Sequence, residues 1–233
     1  MHLILTGATG LVGSGVLDAM LQNSAISRIS ILSRRPVKMA EDAKDPRVHV
    51  ITHKDFETYQ PELLEQLKDA DGCVWALGIS QNSVDKEQYV KITKDYALAA
   101  ANAFSTLKPA NPPFPIHPLK GETESLLGDI SAKHPGTFQV DSVRPAGVDP
   151  TGHDAIKPYL PDQGFLYKAM GVVLMPIIKN FYKSFHSPTP ELGSFLTQLA
   201  MGKMDSKMQG PGVFRLGGGY VVENKAVRRM MAM

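Results

Sequence analysis

The sequence predicts an α/β protein built on a doubly wound parallel sheet, and three observations lead there. An apolar run, His2-Leu3-Ile4-Leu5, passes through a glycine-rich turn into an amphipathic segment. Strand-like and helix-like stretches then alternate as far as Leu107, which requires crossover connections and so parallel strands. Finally, the stretch Cys73-Val74-Trp75-Ala76-Leu77 is continuously apolar, as expected of a strand buried on both faces.

The first strand runs into Thr6-Gly7-Ala8-Thr9-Gly10-Leu11-Val12-Gly13, followed by a helical pattern from Val12 to Leu21. Such a turn suits a pyrophosphate. Glycines let backbone approach the ligand, and the free N–H groups of the first helical turn meet its negative charge. Gly7 would make the tight turn, Gly10 would allow close approach, and Gly13 would let the helix pack on the strand. Thr9, Leu11 and Val12 complete the candidate cofactor loop.

Arg28-Ile29-Ser30-Ile31-Leu32-Ser33 reads as a second strand, ending at Arg34-Arg35-Pro36. In a dinucleotide fold this tip faces the adenosine ribose, where an acid accepts the 2′-hydroxyl and an arginine a 2′-phosphate. No acid appears before Glu41, so Arg34 and Arg35 favour NADP(H) over NAD(H). The alternative is two solvated arginines. Val48-His49-Val50-Ile51 is a third strand, and Pro61 can start the helix after it. Between them Asp55 would either touch the adenine amine or solvate a loop.

The fourth strand ends in Leu77-Gly78, and its C-terminal end should face the same crevice, making Leu77, Gly78 and Ser80 candidate contacts. From Asp85 to Leu107 apolar positions recur at intervals of three and four, a long helix with Tyr89 and Tyr96 read as core. Then the pattern breaks. Residues 108–118 carry five prolines where a fifth strand is due, and proline does not belong in a central strand. Eleven extended residues span ~35 Å, enough to return along the sheet. The segment is expected to run extended through the missing strand's slot with Phe114 and Ile116 facing the core, unless the Phe138 strand pairs directly with the Cys73 strand.

A helix resumes over residues 119–127, and Phe138 to Val143 is a further strand leading into Arg144-Pro145-Ala146-Gly147-Val148. Beyond Asp149 regularity fades, and Met170 to Ile178 reads as a buried helix or pocket wall. Thr189 should cap a helix that has Pro190 at its first position and runs to about Met201. Val213 to Leu216 suits an edge strand and Gly217-Gly218-Gly219 a turn, while the tail through Arg228-Arg229 need not be ordered.

At 233 residues the chain suits one domain: a dinucleotide-binding core at 1–107, a proline-rich link at 108–118 and a small C-terminal elaboration at 149–233, either a substrate-side lid or an inert addition. A net charge of +2 with no basic run gives no case for nucleic acid. The single cysteine, Cys73, suits a reducing compartment. Without a visible targeting segment or membrane span, a cytoplasmic location is expected. No metal site is expected.

Taken together, the glycine turn, Ser33-Arg34-Arg35, Ala76-Leu77-Gly78, Lys120-Gly121-Glu122-Thr123-Glu124, Val143-Arg144-Pro145-Ala146-Gly147-Val148 and Ser187-Pro188-Thr189-Pro190-Glu191-Leu192-Gly193 resemble an atypical short-chain dehydrogenase/reductase. The likeness is to the fungal NAD(P)-binding proteins similar to the Tat-interacting oxidoreductase-like family, with a Rossmann-like fold. The resemblance implies bound NADP(H), contacts from Pro145 and Val148, and hydride transfer to or from a carbonyl or alcohol at a Ser/Tyr/Lys site. Lys120 matches the lysine of that site. The tyrosine's place holds Ile116, and none of the seven tyrosines has a lysine four residues on. The serine-bearing strand is missing too. Catalysis is therefore expected to be impaired or lost, unless an unusual donor such as Ser80, His117, Tyr159 or solvent serves. His117, between prolines, is read as lying in a surface link. A non-catalytic nucleotide-sensing protein and an inactive shortened variant are the alternatives. The substrate, an unknown small molecule, is not legible.

Overall fold

In the computed structural model of the chain, residues 1–79, 84–107, 109, 113–118, 123–160 and 185–233 are described. Six strands form the central sheet: β1 (His2–Thr6), β2 (Arg28–Ser33), β3 (Val48–Thr52), β4 (Gly72–Trp75), β5 (Phe114–Pro118) and β6 (Phe138–Val140). All pair in parallel, in the order β3-β2-β1-β4-β5-β6. The order reverses between β1 and β4, which opens a crevice over their C-terminal ends. Every residue of β1 and β4 is buried, because helices cover both faces.

One face, formed by Leu3, Leu5, Ile29, Ile31 and Val74, packs under α1 (Leu11–Gln22) and α7 (Thr189–Ala200). The opposite face, with Ile4, Leu32, Cys73 and Trp75, packs under α3 (Pro61–Leu67), α5 (Tyr96–Phe104) and α6 (Glu124–Lys133). The short α2 (Lys38–Ala43) follows β2, and α4 (Lys86–Val90) joins α5 through a π-helical turn at Lys91–Asp95. Asp85 caps α4, its carboxylate accepting from the Gln88 N–H at 2.8 Å. Strands β7 (Ser142–Arg144), β10 (Val213–Leu216) and β11 (Gly219–Glu223) form a second sheet, and β8 (Gly147–Asp149) pairs with β9 (His186–Pro188). Among the described residues no helix is long and apolar enough to cross a membrane.

The proline-rich link is itself the fifth strand. Cys73 pairs with Ile116 and Phe114 with Phe138, so the direct pairing of β6 with β4 does not occur. Phe114 and Ile116 are buried in the core, as the extended path requires. Proline is tolerated here because of where each falls. The Phe114 N–H donates to Thr137 O at 2.9 Å, so even-numbered donors of β5 face β6 and odd-numbered ones face β4. Pro115 precedes the β4 pairing, which starts at Ile116, and Pro118 follows the β6 pairing, which ends at Ile116. Each missing N–H thus falls outside the ladder it would have served.

Three sequence expectations need correction. Thr189 is the first residue of α7 rather than its cap, and its hydroxyl meets His153 Nδ1 at 2.8 Å while His153 Nε2 lies 3.0 Å from Asp18 Oδ2. The C-terminal tail forms a helix, α8 (Asn224–Met230), in which Arg228 donates to His186 O at 3.1 Å. His117 is not in a surface link. It is fully buried in β5, because side chains alternate along the strand and Ile116 already faces the other layer. The segment Met170 to Ile178 lies outside the described residues.

His117 Nδ1 stands 3.7 Å from Asp141 Oδ2. Asp141 is buried and accepts from the Tyr220 N–H at 2.9 Å and the Gln139 amide at 2.7 Å. Burial holds the imidazole down to about 4 and pushes the carboxyl up to about 7. The two act oppositely on stability. His117 binds its proton only on unfolding, so its contribution is full above pH 6.5 and is lost as the pH falls toward 4. Asp141 keeps its proton in the fold and releases it on unfolding, so its contribution is present in acid and is lost as the pH rises through about 7. Asp141→Asn removes only the second effect. Its melting temperature should fall more steeply than the wild type's between about pH 7 and pH 5, and parallel melting curves would exclude this account.

Helices α1 and α7 touch backbone to backbone. A Cβ on Gly193 would lie 2.3 Å from Gly15 O. Gly193→Ala should therefore destabilise the protein by about 1–3 kcal/mol in denaturant titration. A change within error would mean the helices separate freely.

Candidate cofactor cleft

The crevice is built from the glycine turn outward. Gly7 takes φ +72°, and a Cβ there would fall 2.3 Å from Ala76 O, so the turn rests directly on the chain leaving β4. A Cβ on Gly13 would fall 2.0 Å from Gly7 O. Gly13 thus lets α1 seat against the turn itself rather than against the strand proper. Gly10 differs: its backbone is ordinary, and a Cβ would meet only Gly7 O, at 3.3 Å, before entering the cleft.

The helix start fits an anion. Gly10 N–H donates to Gly7 O and Ser14 N–H to Gly10 O, each at 2.9 Å, whereas the N–H groups of Leu11, Val12 and Gly13 have no acceptor among the described residues. No side chain caps α1 and no acid lies in its first turn. Three donors and the positive end of the helix dipole are left for a ligand, which is what a pyrophosphate requires.

A cavity of about 410 Å³ opens at the start of α1. It brings together Gly10, Leu11, Val12, Leu77, Gly78, Pro145 and Val148 of the sequence candidates. Gly7 and Gly13 stand behind the wall as its support. Arg34 and Arg35 are exposed at the β2 tip, and Arg35 donates to Thr9 Oγ1 at 3.4 Å, bridging tip and turn. Among the described residues neither arginine is in a salt bridge. Asp55 does not line the cavity. Its carboxylate accepts from the Thr58 hydroxyl at 2.8 Å and the Glu57 N–H at 3.0 Å, and these bonds hold it below the usual carboxylate range.

On the substrate side the expected residues separate. Ser80 and Lys120 lie outside the described residues. Ile116 is 2% exposed and packs in the core under α5, away from the cavity. His117 is buried on the sheet's other face. Tyr159 donates its hydroxyl to Asp42 Oδ2 at 3.1 Å, outside the cavity lining.

Sequence reasoning missed the opposite wall. Tyr89, Thr93 and Ala97 from the 86–104 helix, Thr123 and Glu124 at the start of α6, and Ser142 all line the cavity, as does Trp75. Tyr89, expected in the core, is only partly buried. Tyr96 does pack inside, with its ring centroid 5.9 Å from that of Phe56. The periodicity that merged the two tyrosines ignores the π turn between them. Glu124, nearly buried, is gripped by Arg144, whose Nε donates to its carboxylate oxygens at 3.0 and 3.1 Å and whose Nη2 donates to Oε2. Arg144 also stacks 5.5 Å over Phe214. Among the described residues no cluster of metal-ligating side chains occurs.

Strand order, glycine turn and crevice together define a Rossmann-like fold of the kind shared by NAD-binding reductases and epimerases. Leucinostatins biosynthesis cluster protein T from Purpureocillium lilacinum is 33% identical over 232 residues, covering 86% of this chain and 85% of that protein. The chain belongs to the family of that protein. Botcinic acid biosynthesis cluster B protein 16 from Botryotinia fuckeliana is 39% identical over 125 residues, 52% of this chain and 78% of that one. Among solved structures, the UDP-glucose-4-epimerase of Stenotrophomonas maltophila with bound NAD superposes with a TM-score of 0.65 at 13% identity, covering 89% of this chain and 75% of the epimerase. The PhqB reductase domain of Penicillium fellutanum gives 0.63 at 17%, covering 86% and 64%. These share the fold. No protein-family model matches the chain.

The different situations of the glycines yield a test. Threonine caps a helix about as well as glycine, so Gly10→Thr should fold with nearly the wild-type melting temperature while placing a side chain in the cavity. Cofactor affinity measured by calorimetry should fall at least about tenfold, some 1.4 kcal/mol. Unchanged affinity would show that no ligand approaches Gly10.

Proposed function

We propose that the protein binds NADP(H) in this cleft and is a carbonyl or alcohol oxidoreductase whose family proton relay is disabled. The observation that carries the reading is the set of N–H donors at Leu11, Val12 and Gly13 with no acceptor among the described residues, at a helix start whose Leu11 and Val12 line a cavity at the sheet's switch point. Those donors would take the pyrophosphate, and the Arg34-Arg35 tip beside Thr9 would take the 2′-phosphate. Leu77, Gly78, Pro145 and Val148 would flank the nicotinamide half. When bound, the cofactor supplies the hydride. The structural neighbours include an epimerase and the protein MoeE5 with bound NAD, which supports a dinucleotide in this position.

The relay is disabled because Ile116 stands where the family's tyrosine is expected and is packed in the core. An isoleucine neither gives nor takes a proton. That burial also favours a second reading, a nucleotide-sensing protein without turnover. Most of the cavity wall is apolar, which suits a small, weakly polar substrate, and the two relatives are named for the clusters that make leucinostatins and botcinic acid.

Trp75, the only tryptophan, lines the cavity and reports on it directly. Titration with NADPH should quench its fluorescence saturably and raise the melting temperature, as mass action requires of a ligand selective for the fold. Replacing Arg34 and Arg35 together with alanine should weaken NADPH about ten- to hundredfold, the worth of a charged hydrogen bond or two, and leave NADH nearly unchanged. Equal losses for both cofactors would remove the case for NADP, and no quenching by either would overturn the cofactor assignment itself.

A further inference from the structure

We propose that Tyr89 is the proton donor for carbonyl reduction in this cleft, in place of the tyrosine whose position Ile116 occupies. The inference rests on the cofactor reading above. Among the described residues of the cavity wall, only Tyr89 and Glu124 carry an acid. Glu124 is committed to Arg144 through both carboxylate oxygens. Tyr89 is partly buried, and its hydroxyl has no hydrogen-bond partner among the described residues. The alcohols of Thr93, Thr123 and Ser142 are far weaker acids than a phenol.

The helix that carries Tyr89 is shaped to present it. In a regular α-helix, positions eight apart are rotated by about 80°, so Tyr89 and Ala97 would not share a stripe. The π turn at Lys91–Asp95 absorbs one extra residue. That brings the two back to within about 20°, and Tyr89, Thr93 and Ala97 all face the cavity. The wide turn is braced at the same place. Thr93 donates to Tyr89 O at 2.6 Å, and Thr123 donates to Thr93 O at 3.2 Å, tying the turn to the start of α6. Small Ala97 leaves room beside the phenol.

The step balances with the reduced dinucleotide as reductant. The carbonyl carbon gains a hydride from the dihydronicotinamide, which is oxidised. The carbonyl π pair takes the proton from Tyr89 Oη as the O–H bond breaks, and water reprotonates the phenolate. The product is an alcohol.

Two measurements on the full chain test this, with Tyr89→Phe as the variant because it keeps the ring. In the first, phenolate ultraviolet absorbance is titrated with and without NADP⁺. A cationic nicotinamide near the phenol should make one tyrosine ionise about one pH unit lower or more, and Tyr89→Phe should abolish that displacement. In the second, NADPH oxidation is followed with a panel of aromatic aldehydes, aliphatic ketones and an ortho-quinone. Tyr89→Phe should lose about a hundredfold or more in rate while quenching Trp75 at nearly the wild-type NADPH concentration. Rates within about threefold of wild type, a displacement that survives in the variant, or a wild type that binds NADPH yet shows neither displacement nor reduction would each overturn the role of Tyr89. Failure of the wild type to bind NADPH or NADH would overturn the cofactor reading instead, and the Trp75 signal separates the two failures.

Discussion

The structure depends on a chain of backbone-to-backbone contacts that only glycine permits. Gly7 rests on the Ala76 carbonyl, Gly13 on the Gly7 carbonyl, Gly193 on the Gly15 carbonyl and Gly72 on the Ala200 carbonyl. These contacts link the end of β4 to the turn, the turn to α1, α1 to α7, and α7 back to the start of β4. Each would be shorter than van der Waals contact if a methyl group were inserted, so the loop closes at one spacing. The consequence reaches the cleft: α1 is held with its first turn at the crevice.

The two sides of the cleft are held by different physics. The side formed by the glycine turn is backbone, fixed by those contacts through the absence of Cβ. The opposite wall is held by polar groups: Arg144 clamps Glu124, and Thr93 and Thr123 satisfy carbonyls that the π turn loosens. A wall of that kind can exchange its functional side chain without disturbing the dinucleotide site.

This division also explains what was legible in the sequence. The turn, the four leading strands and the arginine tip follow from local rules of glycine conformation, periodicity and strand ends, and each stands where those rules put it. Phe114 and Ile116 were read correctly because an extended chain in a core slot must alternate. His117 was not, since its burial follows only once the opposite face is known to be covered by α7, a contact some eighty residues away in the chain. Tyr89 failed for a related reason. Intervals of three and four describe an α-helix, and nothing in residues 86–104 announces that one turn is widened. The helical tail was missed because its order comes from contacts with β9 and the 209–212 loop rather than from its own pattern.

The fifth strand then connects fold to chemistry. A proline-rich segment fills the central slot because its prolines fall where neither neighbour needs a donor, and because Phe114 and Ile116 supply the apolar surface that the layer under α5 requires. The same register fixes the role of residue 116. Residue 116 faces the core by the pleat, and a phenol there would bury its hydroxyl in this apolar layer, at a cost of about 1–3 kcal/mol for the unpaired group. Once this segment is the strand, residue 116 serves packing in the layer under α5.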